Sequence, residues 1–119
     1  MTQTDWTSMT RELSAELRNL RAGAPEVMKA FSAIAQASLA PGALDARTKE
    51  LIAIAVAVAV HCDDCIAFHV KAALEKGASR PEIIEALGTA IYMGAGPSVM
   101  YASHALGAVS QFEARAGGT

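Results

Sequence analysis

The chain has 119 residues, enough for one domain with a real core but little to spare for a second. Apolar residues make up 52% of it, much of that alanine, while aromatics are only 5%. Small side chains with high helix propensity favour an all-α domain. The net charge of −2 supplies no basic patch and argues against a nucleic-acid partner. We treat residues 1–119 as a single domain, with 1–23 an N-terminal helical arm and 25–114 the core.

The N-terminus, Met1 to Trp6, shows no positive region followed by an apolar one, so no signal peptide is expected. Trp6, Met9, Leu13, Leu17 and Leu20 then recur at spacings of three and four, one face of an amphipathic helix. Gly23-Ala24-Pro25 breaks it. This arm is a candidate to pack on another subunit. Pro25 suits the first turn of a second helix, with Val27, Met28, Phe31, Ile34 and Ala35 as its expected buried face. Ala40-Pro41-Gly42 ends it, and Asp45 is placed to cap a third helix over about 45–60. From Leu51 onward that helix is apolar on every side, which predicts burial all round, with other subunits completing the cover. Its ten-residue apolar run, Leu51 to Val60, is too short to span a bilayer, and no membrane association is expected. A cytoplasmic location follows as the expectation.

A fourth helix is predicted from near Cys62 to about Lys76, stopped by Gly77. Ser79-Arg80-Pro81-Glu82 reads as a capping box opening a fifth helix, with Ile83, Ile84, Leu87, Ile91 and Tyr92 on its apolar side. Gly94-Ala95-Gly96-Pro97 interrupts. A sixth helix is expected over about 98–114, with Val99, Met100, Leu106, Val109 and Phe112 apolar, and residues 116–119 as a frayed tail. No strand pattern or repeat is visible.

The chemistry concentrates between residues 50 and 69. Both cysteines of the chain, Cys62 and Cys65, fall at i and i+3 on a helical first turn, close enough for a disulfide. The unpaired amides and partial positive charge of a helix N-terminus favour thiolate, the nucleophilic form. His69 lies at i+4 from Cys65 on the same face, where it can take the thiol proton directly or through a water. If the third and fourth helices fold back antiparallel about a turn near Val60 and His61, Glu50 lies about ten residues before that turn and His69 about eight after it. At a rise of ~1.5 Å per residue both sit ~12–16 Å from it, so the carboxylate can face the imidazole and hold one tautomer. Asp63 and Asp64 suit the helix dipole but oppose a nearby thiolate.

Glutamate, eleven intervening residues, Cys-x-x-Cys, three more and histidine, carried by Glu50, Cys62, Cys65 and His69, resembles the signature of the alkylhydroperoxidase D (AhpD) branch of the carboxymuconolactone decarboxylase family. Pro25-Glu26, Arg47 to Leu51, Gly77-Ala78 leading into Glu82-Ile83, and Met93 to Pro97 agree, so the resemblance covers roughly residues 25 to 110. It implies an all-helical fold of about six helices, assembled as a homotrimer or homohexamer. It implies that Cys65 is attacked by peroxide and becomes a sulfenic acid, that Cys62 resolves it to a disulfide, and that His69 and Glu50 relay protons. A hydroperoxide or disulfide would be the substrate and a lipoyl or thioredoxin-like dithiol the reductant, in antioxidant defence, with no cofactor. One position departs: the best-known form has histidine just before the second cysteine, and here it is Asp64. His61 and Asp64 are therefore accessory candidates. The decarboxylase branch generally lacks the cysteine pair, which argues against lactone decarboxylation.

Plainer readings stand beside this one. His61, Cys62, Cys65 and His69 offer two sulfurs and two nitrogens to zinc, although structural zinc sites usually draw a second pair of ligands from a distant segment. The chain could also be an oligomeric interaction module with a vestigial dithiol. His104 reads as structural or interfacial, and Tyr92 and Tyr101 as core packing.

Overall fold

The computed structural model describes residues 4–117, and among them every regular element is helical. Five helices follow one another: α1 Trp6–Gly23, α2 Pro25–Leu39, α3 Ala46–Ala59, α4 Asp63–Glu75 and α5 Arg80–Gly117. Residues 1–3, where the absence of a leader was expected, and 118–119 of the expected frayed tail lie outside the described residues.

Each helix starts where its sequence supplies a cap. Asp5 Oδ1 accepts from Ser8 N–H at 3.0 Å and opens α1. Asp45 Oδ1 accepts from Thr48 N–H at 2.8 Å and opens α3. Pro25 needs no donor at the first turn of α2. At the start of α5, Ser79 Oγ accepts from Glu82 N–H at 3.2 Å while Glu82 Oε1 accepts from Ser79 N–H at 2.8 Å, a reciprocal capping box. Gly77, at φ +91°, ends α4: its N–H donates to Leu74 O at 3.1 Å and that of Ala78 to Ala73 O at 2.9 Å.

The core is made by α3, α4 and α5. Ile54 and Val58 of α3, Ile66 and Val70 of α4, and Ile83 and Val109 of α5 are fully buried together, each burial contributing roughly 1.5–3 kcal/mol. Alanines at 57, 67, 73, 90, 105 and 108 fill the spaces between them. The α1 arm folds against its own chain. Trp6 is buried, its N–H donates to Gln111 Oε1 at 2.7 Å, and Gln111 Nε2 donates to Thr4 O at 2.7 Å.

Two sequence expectations change, the burial of the α2 face and the packing beside the α5 break. The α2 face is not buried within one chain: Val27, Phe31 and Ile34 are each more than half exposed, because α2 touches only α1 and the start of α3. Lys49 Nζ fastens its far end by donating to Ser38 O at 3.0 Å and Ala40 O at 2.6 Å. Helix α3 is covered on one side by its own chain, and Ile52, Val56 and Val60 are open on the side where cover by other subunits is expected. The expected fifth and sixth helices are the two arms of α5, which meet at a kink inside the expected Gly94–Pro97 break. The backbone leaves helical geometry at Ala95 (φ 57°, ψ −143°), and Pro97, which cannot donate, sits just beyond as the helix resumes. Beside this kink Tyr92, Met93, Val99 and Met100 are exposed rather than packed. By length and composition Arg80–Ala116 could cross a membrane; it is kinked midway, and Ile83, Leu87, Ala105 and Val109 lie in the core while most of its apolar stretch is not buried within one chain.

Candidate dithiol site

The site forms where α3 turns back into α4. Helix α3 closes with His61 N–H donating to Val58 O at 3.2 Å and Cys62 N–H donating to Ala57 O at 3.0 Å. His61 takes the left-handed conformation, φ 62°, that this closure requires and that glycine usually supplies. Cys62 is at the same time the cap of α4, its Sγ accepting from Cys65 N–H at 3.2 Å. Cys62 and Cys65 are joined as a disulfide, with Cα atoms 5.3 Å apart. Both are half-buried, and Cys65 packs against the edge of the core.

Behind the cysteines, α4 runs antiparallel along α3 and brings His69 to Glu50. Nδ1 of His69 and Oε1 of Glu50 are 2.7 Å apart. With the carboxylate ionised and the ring neutral, the carboxylate only accepts, so Nδ1–H donates and Nε2 carries the free lone pair. Glu50 is 3% exposed and His69 29%. The acid is thus held in the interior while the ring is partly open to solvent, one helical turn beyond Cys65. Glu50 also borders a cavity of about 470 Å³ between α2, α3 and α4, lined with Gln36, Leu39, Pro41, Ala72 and Lys76.

The remaining candidates separate. Asp64 is exposed and makes none of these contacts. The His61 ring stacks on Tyr101, with centroids 4.5 Å apart and an angle of 10° between the planes, while His69 is engaged by Glu50. The four ligands of the zinc alternative therefore do not converge, and among the described residues no three His, Cys, Asp or Glu side chains are arranged to hold a metal ion. Sequence reasoning missed a second histidine–carboxylate pair: His104 Nδ1 donates to Asp63 Oδ1 at 2.9 Å. Forty-one residues separate the two, and no local pattern announces such a contact. Tyr101 and Trp6 flank His104, with ring centroids at 4.9 and 6.1 Å. Tyr101 thus belongs to the surroundings of the site, whereas Tyr92 lies exposed at the kink.

Fold and site together define an all-helical domain that presents a Cys-x-x-Cys pair at a helix start, with a histidine–carboxylate pair behind it. Residues 25–108 match the carboxymuconolactone decarboxylase family. The chain is 42% identical over 103 residues to an uncharacterized protein of Cupriavidus necator, covering 87% of this chain and 91% of that one. It is 41% identical over 106 residues to uncharacterized protein 4 in the cox locus of Paracoccus denitrificans, covering 89% and 95%. Among solved structures, a carboxymuconolactone decarboxylase family protein from Legionella pneumophila, crystallised in its apo form, superposes with a TM-score of 0.89 at 45% identity, covering 92% and 98%. A family protein from Thermotoga maritima, for which a part in the antioxidative response has been suggested, superposes with 0.82 at 31% identity, covering 92% and 94%. The chain belongs to the carboxymuconolactone decarboxylase family, and within it carries the AhpD-like pattern of Glu50, Cys62, Cys65 and His69.

Proposed function

We propose that the chain is a thiol-dependent oxidoreductase that reduces a hydroperoxide or a disulfide by cycling Cys62 and Cys65 between dithiol and disulfide, in antioxidant defence. The observation that carries this reading is the Glu50–His69 bond behind the cysteine pair: a buried carboxylate fixes the imidazole tautomer one helical turn from Cys65. In the reduced protein, His69 Nε2 takes the Cys65 proton. The thiolate attacks one oxygen of the hydroperoxide, the O–O bond breaks, and the alkoxide leaves to be protonated by the relay. Cys65 is then a sulfenic acid. Cys62 attacks its sulfur, the disulfide forms and water departs. With a disulfide substrate, the thiolate instead opens the S–S bond and a thiolate leaves. A dithiol of the lipoyl or thioredoxin type restores both thiols.

The suggested antioxidative part of the Thermotoga relative supports the peroxide branch. The exposed Asp64, where the best-known form of the branch has histidine, favours disulfide exchange as the second reading. The open apolar faces of α2, α3 and the α5 kink support a homo-oligomer; a trimer or hexamer is what the family resemblance implies, and a cytoplasmic location is part of the proposal. The test is turnover of an organic hydroperoxide and of lipoamide by the wild type, Cys65→Ser and Cys62→Ser. Cys65→Ser should abolish both reactions, and Cys62→Ser should stall with Cys65 as a sulfenic acid or a mixed disulfide. Full activity in Cys65→Ser would rule the assignment out.

A further inference from the structure

Cys62 occupies the junction of two helix-end motifs. Its N–H closes α3 on Ala57 O, while its carbonyl accepts from Ile66 N–H at 2.9 Å and its sulfur from Cys65 N–H to open α4. The residues on either side of it are each held by α5. On one side His61 lies flat against Tyr101. On the other, Asp63 accepts from His104. Tyr101 and His104 are one turn apart on α5, with their rings 4.9 Å from each other, and Trp6 of α1 backs His104. Helix closure alone does not call for this. Glycine suits the left-handed position best, and the imidazole at 61 occupies it against steric preference. What the ring adds is the stack on α5.

We propose that His61, Tyr101, His104 and Asp63 form a clamp that positions Cys62 for closure onto Cys65 and so sets how tightly the chain holds its disulfide. The inference rests on the redox reading above. All four are positioning residues. In the step they serve, the Cys62 thiolate attacks Cys65 in a mixed disulfide. The Cys62–Cys65 bond forms, the bond from Cys65 to the donor sulfur breaks, and the donor leaves as a thiolate with the electron pair. Fixing Cys62 on both flanks raises its effective concentration at Cys65, because less freedom is lost when the ring closes.

The test is the equilibrium of the full-length protein with reduced and oxidised glutathione, read as the ratio of dithiol to disulfide, alongside the thermal midpoint. His61→Gly and Tyr101→Leu should each lower the effective concentration of Cys62 about tenfold, which is about 30 mV toward easier reduction. Tyr101→Phe keeps the stacking ring and should match the wild type. His104→Ala should shift the equilibrium in the same direction, with His104→Gln, which retains a donor, recovering part of the loss. The decisive variant is His61→Gly. Glycine fits the backbone better, so the thermal midpoint of the reduced protein should hold or rise while the disulfide weakens, a combination that a merely structural role does not produce. It also leaves the core intact if Tyr101→Leu fails to fold. Alkylation of Cys65 in the reduced variants should proceed at the wild-type rate. A wild type that cycles while His61→Gly keeps its equilibrium unchanged would overturn the clamp alone. A wild type that forms no disulfide at any glutathione ratio would overturn the redox reading and the clamp with it.

Discussion

Replacing Glu50 by glutamine exchanges one oxygen for an NH₂ group in a side chain that is almost wholly enclosed and tests the relay with little change of shape. In the wild type, Oε1 lies 2.7 Å from His69 Nδ1 and can only accept, so the ring hydrogen is fixed there and Nε2 is left free to take a proton. An amide at position 50 presents either its oxygen or its nitrogen. When the nitrogen faces Nδ1 it donates, the ring hydrogen moves to Nε2, and the lone pair needed at Cys65 is lost. A positioned general base contributes about 10²–10⁴ in rate, or roughly 2.7–5.5 kcal/mol of barrier at 1.36 kcal/mol per factor of ten. Thiolate formation at Cys65 should slow within that range. Stability should change less. The lost charge-assisted hydrogen bond, worth about 1.5–3 kcal/mol, is offset in part because the amide costs less to bury than the carboxylate. The assay is the rate of Cys65 alkylation by iodoacetamide in the reduced protein, with hydroperoxide or lipoamide turnover measured in parallel. Because the two residues act as one unit, Glu50→Gln combined with His69→Gln should be no slower than His69→Gln alone. A wild-type alkylation rate in Glu50→Gln, or additive losses in the double variant, would refute the relay.

Further consequences follow from other parts of the fold. At Gly94 a Cβ would collide with the hydroxyl of Ser98, which is fully buried, so Gly94→Ala should cost about 1–3 kcal/mol in urea unfolding. Ser98→Ala should rescue it only in part, because Ser98 Cβ is itself 2.9 Å from the added carbon. Acid should loosen the helix starts. The Ser8 amide holds the Asp5 carboxyl down at about 2, hydrogen bonds from Thr48 lower that of Asp45, and the Ser79 amide lowers that of Glu82. These groups bind protons more readily in the unfolded chain, so their stabilisation is complete above the ordinary carboxylate range and lost as pH falls through it toward 2. Asp45→Asn keeps a capping oxygen and should flatten that dependence in thermal melts taken from pH 5 to 2. Val56 is 54% exposed in a single chain, so Val56→Glu should leave a monomer folded. If the open faces are covered by further copies, light scattering should show the variant dissociating, and an unchanged mass would count against the homo-oligomer.

Much of this architecture is legible in the sequence because its signals are local. Asp45, Pro25, Gly77 and the Ser79–Glu82 box mark helix ends through groups within four residues of one another. The rise of a helix places Glu50 level with His69 once a turn near His61 is granted, and their 2.7 Å contact matches that arithmetic. Burial is less legible. Periodicity shows that Val27, Phe31 and Ile34 share a face but not what covers it, and within one chain nothing does. The Gly94–Pro97 break reads as an interruption, and two helical arms do meet there at Ala95, but how short the interruption is, one non-helical residue with no connecting loop, is not legible. The Asp63–His104 pair and the His61–Tyr101 stack depend on how α5 lies across the start of α4, which no local pattern encodes. A non-glycine residue in so tight a helix–helix turn was the one available sign that position 61 is special.

The central claim is that Cys62 and Cys65 cycle between dithiol and disulfide under control of the groups behind them. The most direct measurement takes the fully reduced, chelator-treated protein, adds one equivalent of an organic hydroperoxide or of oxidised lipoamide, and follows intact mass and free thiols over seconds to minutes. The account predicts loss of two hydrogens and of both thiols within one chain for at least one oxidant, slowed in His69→Ala and absent in Cys65→Ser. Thiols that persist against both oxidants in the folded wild type would contradict it.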